Sequence, residues 1–307
     1  MTGPDWNTDA DAQARTGFIL AFSAYVIWGL SPLYWLLFDA SAWEIVAHRS
    51  AYAALALAPF VLRKTPNPLR LFTPARTRWV LLAALLIGSN WLVFIWAVTN
   101  GHVLESSLGY FIGPLVNVAL GVALLRERLR RAQIAAVALA AVGVAIPVVT
   151  STHVPLIALY LAFSFSLYAL VRKRLDVDGA TGLFLESLLL APFGIAAAVW
   201  IQASGNGHFL EWSAQPFLLV SAGVVFTAGV LLLFIEGARR LKFSTLGLLQ
   251  FITPTLQFAI GLMLGEAFPP ERAAAFVLIW AGLGLYTADL LRHERAAYLR
   301  RRPSPVG

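Results

Sequence analysis

Ten long apolar runs constrain the fold of this chain more than any other feature of its sequence. A membrane-spanning helix needs about 20 mostly apolar residues. Stretches that meet or approach this length lie at 17–37, 42–62, 79–99, 105–125, 133–150, 155–171, 180–202, 215–237, 245–265 and 273–291. Of all residues, 59% are hydrophobic and 13% are charged, which excludes a disordered protein, a coiled coil and most soluble enzymes. We therefore predict an all-α membrane protein with ten transmembrane helices.

The basic residues predict how these helices are oriented. With a cytoplasmic N-terminus, all but two of the 23 Lys and Arg fall in cytoplasmic connections and tails, the exceptions being Arg49 and Arg272. Because Lys and Arg are enriched in cytoplasmic loops, we expect both termini to be cytoplasmic. Charges spread along a membrane rim contact lipid headgroups and do not form the single basic face of a nucleic-acid-binding protein. We expect the lipid bilayer as a partner and no nucleic acid.

The residues that metal sites and nucleophilic enzymes need are missing or scattered. The chain has no cysteine, and its five His lie in five different segments without a metal-binding spacing. We expect no metal, no cofactor and no enzymatic activity. A channel would prefer a charged or carbonyl-lined pore. The alternative that stays open is a membrane-embedded sensor or scaffold without transport, although no connection is long enough to form an output domain.

An internal repeat relates the two halves of the chain. A shift of 140 residues aligns 91–141 with the second half at thirteen identical positions, including Phe-Ile-x-Pro at both 111–114 and 251–254. A unit of five spans is odd, so the second copy enters the membrane inverted. Inverted repeats are typical of secondary transporters, which bind their substrate at the repeat interface near the midplane.

The repeat divides the chain into four parts. They are a cytoplasmic N-terminal tail at 1–16, a first five-helix repeat at 17–150, a second, inverted repeat at 155–291 and a basic cytoplasmic tail at 292–307. We expect the last tail to be disordered. The fifth span is rich in Ala and Val, whose small side chains let helices pack closely, so it is a candidate contact for a homodimer.

Several long motifs resemble one family. They are Glu44-Ile45-x-x-His48-Arg49, Asn90-Trp91-x-x-Phe94-Ile95-Trp96, Glu105-x-Ser107-Leu108-Gly109-Tyr110-Phe111-Ile112, Ala162-Phe163-Ser164-Phe165 and Ser244-Thr245-Leu246-Gly247. Over residues 17–291 the chain resembles RarD-type transporters of the EamA branch of the drug/metabolite transporter superfamily. The resemblance implies two inverted five-helix repeats in the bacterial inner membrane. It also implies a carrier, most simply an exporter, of a small organic metabolite or drug such as an amino acid or a chloramphenicol-like compound.

Charged residues inside the spans are candidates for the substrate site. On insertion scales an ionisable group at the centre of a membrane helix costs about 2.5–3.5 kcal/mol, so it persists where it is paired, hydrated or used. In the second span, Glu44 and His48 are four residues apart and share a helix face with each other. Two interpretations of this span follow: Arg49 and His48 bind an anionic group of the substrate, or Glu44 and Arg49 lock helices together.

Two carboxylates are candidates for coupling transport to protons, with facilitated flux and exchange as the alternatives. They are Glu44 and Glu186, which lies inside the seventh span. A buried carboxylate holds a proton more readily than an exposed one, which suits a proton-coupled exporter. Glu186 could equally pair with Arg49 across the repeat interface.

Polar and aromatic residues within the spans complete the predicted substrate site. With His48 and Arg49, the candidates are Trp28, Asn90, Tyr110, Tyr168, Gln250 and Gln257. Trp28 and Tyr168 correspond under the 140-residue shift, which favours a shared role. Asn90 could instead form a hydrogen bond to a neighbouring helix, as intramembrane Asn usually does.

Two prolines are candidate hinges. Pro114 and Pro254 occupy equivalent positions in the two repeats, and Tyr110 and Gln250 each lie four residues before one of them. Proline removes a backbone donor and frees a carbonyl. We predict that the fourth and ninth helices break beside these polar side chains, the alternative being a simple kink.

Overall fold

The computed structural model describes residues 6–125, 130–150, 154–175, 177–241, 245–246 and 249–301. Over these ranges the chain forms ten helices and no strand. They are α1 (Trp6–Trp35), α2 (Ala42–Lys64), α3 (Pro74–Thr99), α4 (Val103–Leu125), α5 (Arg131–Thr150), α6 (Leu156–Leu175), α7 (Gly179–Ala203), α8 (Gln215–Ala238), α9 (Ile252–Met263) and α10 (Pro270–Arg301). A short 3₁₀ turn at Pro68–Leu71 precedes α3. The prediction of an all-α protein with ten helices is confirmed.

Length and composition identify the helices that suit a membrane. Five are long and apolar enough to cross one: α1 from Ala12 onward, α2, α3, α7 and α8. Shorter apolar segments occur in α5, α6 and α9. The sequence sets the starts of several helices locally. Ser41 and Asp178, for example, accept hydrogen bonds from backbone N–H groups in the first turns of α2 and α7.

Both terminal segments are more helical than the sequence suggests. Helix α1 already begins at Trp6, inside the predicted tail 1–16. Helix α10 continues through Arg301, so the expectation of a disordered tail is wrong for residues 292–301. Basic and alanine side chains are good helix formers, and they prolong a helix that the apolar core has already started. Residues 302–307 lie outside the described part.

The most extensive helix contacts keep their pattern when each helix is exchanged with the one five positions later. Helix α1 packs on α8 and α9, and α6 packs correspondingly on α3 and α4. Helix α2 packs on α8, and α7 packs on α3. The pairs α2 with α7, α4 with α9 and α5 with α10 map onto themselves. This contact pattern has the two-fold character expected of two similar halves.

Three carboxylates join helices at one end of the bundle. This end carries the connections 36–41, 100–102, 154–155, 204–214 and 264–269, and we call it the arginine-poor end; the opposite one is the basic end. Glu105 of α4 accepts a hydrogen bond from the backbone N–H of Ile157 at 2.9 Å. Glu266 accepts from the first N–H groups of α4, and Glu44 of α2 accepts from His208. A carboxylate suits a helix N-terminus, where backbone N–H groups lack partners.

Candidate functional site

A buried arginine without a counter-ion marks the candidate site. Arg49 is 8% exposed and lies in α2, where α1, α3 and α8 surround it. Its Nε donates to Oγ1 of Thr227 at 2.7 Å. Among the described residues, no carboxylate lies within 4.0 Å of the guanidinium, and neither terminal nitrogen donates a hydrogen bond. Buried charges in proteins are normally paired. The Arg49 guanidinium is not paired with a described carboxylate, so its terminal N–H groups remain available as donors.

Two tryptophans hold the guanidinium. Its central carbon lies 4.0 Å from the ring centroid of Trp91 in α3 and 5.3 Å from that of Trp35 in α1. These are cation–π distances, and such contacts strengthen when they are shielded from water. The indole Nε1 of Trp35 is itself buried and has no hydrogen-bond partner in the described part of the chain. The unpartnered polar atoms of Arg49 and Trp35 are therefore all donors.

A local distortion of α8 brings Thr227 to Arg49. Residues Ala222–Gly229 form a π-helical segment, and Oγ1 of Thr227 donates to the carbonyl of Ala222 five residues earlier at 2.8 Å. A Cβ on Gly223 would lie 2.8 Å from the carbonyl oxygen of Arg49, so only glycine lets α8 approach α2 this closely. Segments of π-helix occur frequently at functional sites.

Two tyrosines extend the aromatic wall around Arg49. Tyr34 stacks on Phe226 at 3.8 Å, and its hydroxyl oxygen lies 2.6 Å from that of Ser221. Tyr110 packs edge-to-face on Phe94 at 5.6 Å. The phenol groups of Tyr34 and Tyr110 both lie within electrostatic range of the Arg49 guanidinium. The structure therefore brings the predicted residues Arg49 and Tyr110 together.

Sequence reasoning missed Tyr34, Trp35, Trp91 and Thr227 as neighbours of Arg49. The first three resemble the aromatic residues that line membrane interfaces, and their spacing does not show which face of a helix they occupy. A usable signal for Thr227 was a hydroxyl in an otherwise apolar run between Gly223 and Gly229.

Glu186 is fully buried and pairs within its own half of the chain. Its carboxylate accepts from Nη1 of Arg172 at 3.2 Å and from the hydroxyl of Tyr168 at 3.0 Å. A Cβ on Gly182 would lie 1.3 Å from Nη1 of Arg172, so this glycine makes room for the arginine side chain. The interpretation that Glu186 pairs with Arg49 is wrong, and Tyr168 binds Glu186 rather than facing Arg49.

Glu44 and His48 also differ from the sequence interpretations. Glu44 accepts from the backbone N–H of His208 at 2.7 Å and lies 2.9 Å from its Nδ1, so a Glu44–Arg49 lock is wrong. This hydrogen bond raises the pKa of His208 above its usual value. The ring of His48 stacks on Phe209 at 4.7 Å and lines a cavity of 580 Å³ between α2 and α7, which Arg49 does not line.

Three of the remaining predicted residues pack helices together. Asn90 donates from Nδ2 to Oγ of Ser164 at 2.9 Å, which joins α3 to α6. Gln257 donates from Nε2 to the carbonyl of Trp28 at 3.3 Å, which joins α9 to α1, while its buried Oε1 has no partner among the described residues. The Trp28 ring packs on Phe234 at 5.5 Å. None of these contacts brings Trp28, Asn90 or Gln257 to Arg49.

The two repeats differ at their equivalent prolines, Pro114 and Pro254. Helix α4 continues through Pro114 without interruption, so the predicted break there is wrong. Residues 250–251 form a turn, and α9 begins at Ile252, just before Pro254. The Gln250 side chain is exposed and forms no hydrogen bond to a described residue, so the structure does not bring it to Arg49.

Comparison with known proteins places the chain among membrane transporters. The model of the EamA-like transporter family matches residues 15–149. "Protein RarD" of Streptomyces exfoliatus is 42% identical over 95% of this chain and 94% of its own length. "Chloramphenicol-sensitive protein RarD" of Pseudomonas aeruginosa is 31% identical over 91% and 96%.

A solved structure has a fold similar to that of this chain. It aligns with a TM-score of 0.55 at 18% identity, covering 91% of this chain and 99% of its own. Ten helices, apolar spans and near-full-length similarity to RarD proteins of bacteria agree with one another. The chain is therefore a multi-pass bacterial membrane protein that belongs to the EamA-like transporter family, among its RarD-type members.

Proposed function

We propose that this transporter is a secondary carrier that exports a small organic molecule across the bacterial inner membrane, with Arg49 at its substrate site. One observation carries the proposal: a buried cation without a counter-ion among the described residues lies where helices of both halves meet. Trp35 and Trp91 come from the first half, and Thr227 comes from the second. Secondary transporters with repeats bind their substrates at such an interface.

Alternating access of two inverted five-helix repeats, 17–150 and 155–291, is the proposed mechanism. The most extensive helix contacts recur when the two halves are exchanged, and this symmetry supports the mechanism. The carboxylates of Glu44, Glu105 and Glu266 hold the arginine-poor end together. With cytoplasmic termini this end would face outward, and the proposed role of the three contacts is to close it there. Opening breaks these three contacts, and the turn before Pro254 is the proposed hinge.

Glu186 is the proposed site of proton coupling. It is 0% exposed, and its two partners come from α6, the helix preceding its own. A proton on this carboxylate would weaken its ion pair with Arg172 and free the α6–α7 contact to rearrange. Glu44 is better explained by the closure of the arginine-poor end than by coupling.

Counterflow in proteoliposomes tests the proposed function. Purified protein would be loaded with one unlabelled compound at a time, from aromatic amino acids to amphenicols, and labelled tracer would be added outside. Amphenicols belong in the panel because one relative is named for chloramphenicol sensitivity. We expect tracer accumulation with at least one compound, its loss in Arg49→Gln, and its retention in Arg272→Gln, which changes an arginine outside the site.

A lack of tracer accumulation would overturn the proposal. If no compound accumulates, with or without an imposed pH gradient, while the protein inserts normally, the sensor or scaffold interpretation replaces it. Accumulation that survives Arg49→Gln would keep the carrier and remove Arg49 from its site.

A further inference from the structure

We propose that the Arg49 site takes the carboxylate of an organic monoanion that has a flat apolar body and lacks an ammonium group. The carboxylate binds end-on to both terminal nitrogens of Arg49. This inference rests on the proposed function only for its transport consequences. Binding itself can be measured separately.

The donors around Arg49 select the group and its geometry. An arginine binds a carboxylate through two nitrogens, either side-on with Nε and one terminal nitrogen or end-on with both terminal nitrogens. Because Nε already donates to Thr227 at 2.7 Å, the side-on geometry is blocked. The hydrogen bond of Arg49 to the described chain is the one from Nε, so Nη1 and Nη2 remain available, and the buried indole N–H of Trp35 has no acceptor among the described residues. All three are donors, so their ligand is an acceptor.

The charge balance favours a single negative charge. An unpaired buried charge is strongly unfavourable, and one carboxylate neutralises it. An α-ammonium group would bring the positive charge back. Glu44, five residues before Arg49 on the same helix, is already paired with His208. No described carboxylate lies within 4.0 Å of the guanidinium to balance an added ammonium group.

The walls of the site select the body of the ligand. Trp91 and Trp35 contact the guanidinium, and Tyr34, stacked on Phe226, and Tyr110 lie beside it. Aromatic rings prefer stacked or edge-to-face partners. With the guanidinium held by the tryptophans, a ligand reaches it in its own plane, at the end where the two terminal nitrogens are free. A flat ring attached to a carboxylate through a short linker fits this approach.

Thr227 is a positioning residue in this site. It accepts from Nε of Arg49 and is itself held by the carbonyl of Ala222 in the π-helical segment. It therefore fixes the plane of the guanidinium without using the nitrogens that bind the ligand. Replacing Thr227 with Val keeps its shape and removes the acceptor, so the side-on geometry opens and the selection for a carboxylate over its neutral isostere falls.

Equilibrium binding to the full-length protein in detergent tests the proposal. The probes are 3-phenylpropanoate, its neutral isostere 3-phenylpropanamide, phenylalanine and phenyl phosphate, titrated by calorimetry and by ligand-induced shifts of the thermal midpoint. Because hydrogen bonds to charged groups are the stronger ones, we expect the carboxylate to bind about tenfold or more tightly than the amide. We expect phenylalanine and phenyl phosphate to bind more weakly than the carboxylate.

Three variants assign the preference to its atoms. Arg49→Gln should make the carboxylate and the amide bind alike, whereas Arg49→Lys should keep part of the preference because the charge remains. Thr227→Val should lower the carboxylate-to-amide affinity ratio about threefold or more, a ratio that does not depend on any loss of stability common to both titrations.

Several results would overturn the inference. They are equal binding of the carboxylate and the amide to the wild type, no binding of either, a preference that survives Arg49→Gln, and tighter binding of phenylalanine or phenyl phosphate. The proposed function fails separately. A protein that exchanges a neutral amphenicol in counterflow but shows no preference for the carboxylate remains a carrier and loses only this inference.

Discussion

Arg49 and Glu186 are both buried ionisable residues, but the chain compensates their charges in different ways. Each lies inside a helix that is apolar enough to span a membrane. Glu186 has an arginine and a tyrosine within hydrogen-bonding distance, both from the preceding helix. Arg49 has aromatic rings and one hydroxyl but no described carboxylate. The first charge is paired by neighbouring side chains, whereas the described part of the chain supplies no counter-ion for the second.

The difference also separates a charge that is paired within the chain from one that is available to a ligand. A closed pair such as Glu186–Arg172 links α6 to α7 and satisfies the buried carboxylate from within the chain. An open site such as Arg49 has unused donors in a rigid aromatic frame, which is what selective binding of a ligand requires. Substitutions at the two positions should therefore have opposite effects on stability and binding.

The largest expected effect follows from breaking the closed pair. Arg172→Leu leaves the Glu186 carboxylate buried without its counter-ion, and the loss of one partner of a buried pair costs about 3–5 kcal/mol. We expect a strongly lowered thermal midpoint and a poor yield of folded protein in detergent. Arg174→Leu, at an exposed position on the same helix, is the matched control and should stay near the wild type.

The double variant Arg172→Leu/Glu186→Leu sharpens this prediction. It removes both charges together, so it should recover much of the stability lost in Arg172→Leu. A single variant as stable as the wild type would show that Glu186 does not depend on Arg172, and the contrast with Arg49 would disappear.

The next effect concerns the aromatic frame of the open site. Trp91→Leu removes the ring nearest to the guanidinium, and a cation–π contact shielded from water contributes about 2 kcal/mol. A double-mutant cycle with Arg49→Gln, read from denaturation in detergent, should give a coupling energy of this size. Trp96→Leu on the same helix, where the side chain is 46% exposed, should show no coupling to Arg49. Equal coupling for both tryptophans would contradict the assigned frame.

A smaller effect on stability, with a large effect on binding, is expected at Arg49 itself. Arg49→Gln removes an unpaired buried charge together with its contacts to Trp91 and Thr227. Relief of desolvation and loss of contacts oppose each other, so we expect the free energy of unfolding to change by about 1 kcal/mol or less. Counterflow and the preference for the carboxylate over the amide should nevertheless be lost. A variant as unstable as Arg172→Leu would show that Arg49 is a structural residue.

The number and type of elements could be predicted from the sequence because the length of an apolar run is a local property. Arg49 could also be predicted, since a charge inside such a run is conspicuous. Its partners could not. The neighbours Trp35, Trp91 and Thr227 lie on three helices, and the sequence does not show how these helices are rotated about their axes.

Two wrong predictions have the same origin. Glu186 pairs with Arg172 because Gly182 leaves room for the arginine side chain, which apolar patterning does not reveal. Glu44 binds His208, a residue 164 positions away in the connection between α7 and α8. Both contacts depend on details of packing and loop path, whereas the spans depend only on hydrophobicity.

The smallest expected effect is at a third charged contact, at the rim of the bundle. Glu44 is 1% exposed and holds His208, whose side chain is 24% exposed, at the arginine-poor end. The hydrogen bond to Glu44 raises the pKa of His208, and the nearby carboxylates of Glu211 and Asp39 act in the same direction. Since the folded protein prefers the protonated imidazole, the contact stabilises it fully below about pH 6.5, the unperturbed value. This stabilisation is lost as the pH rises through the raised pKa.

Because the imidazole of His208 remains partly exposed to water, the pair contributes about 1 kcal/mol or less. The thermal midpoint of the wild type should therefore exceed that of His208→Gln most at pH 5.5, and the difference should shrink towards pH 8.5. His102→Gln, at the same end but with its ring stacked on Trp96, should show no such trend relative to the wild type. If the difference for His208→Gln grew with pH, Glu44 would be binding a neutral imidazole. The Glu44–His208 contact would then be a hydrogen bond to a neutral ring, and it would differ from the ion pair between Glu186 and Arg172.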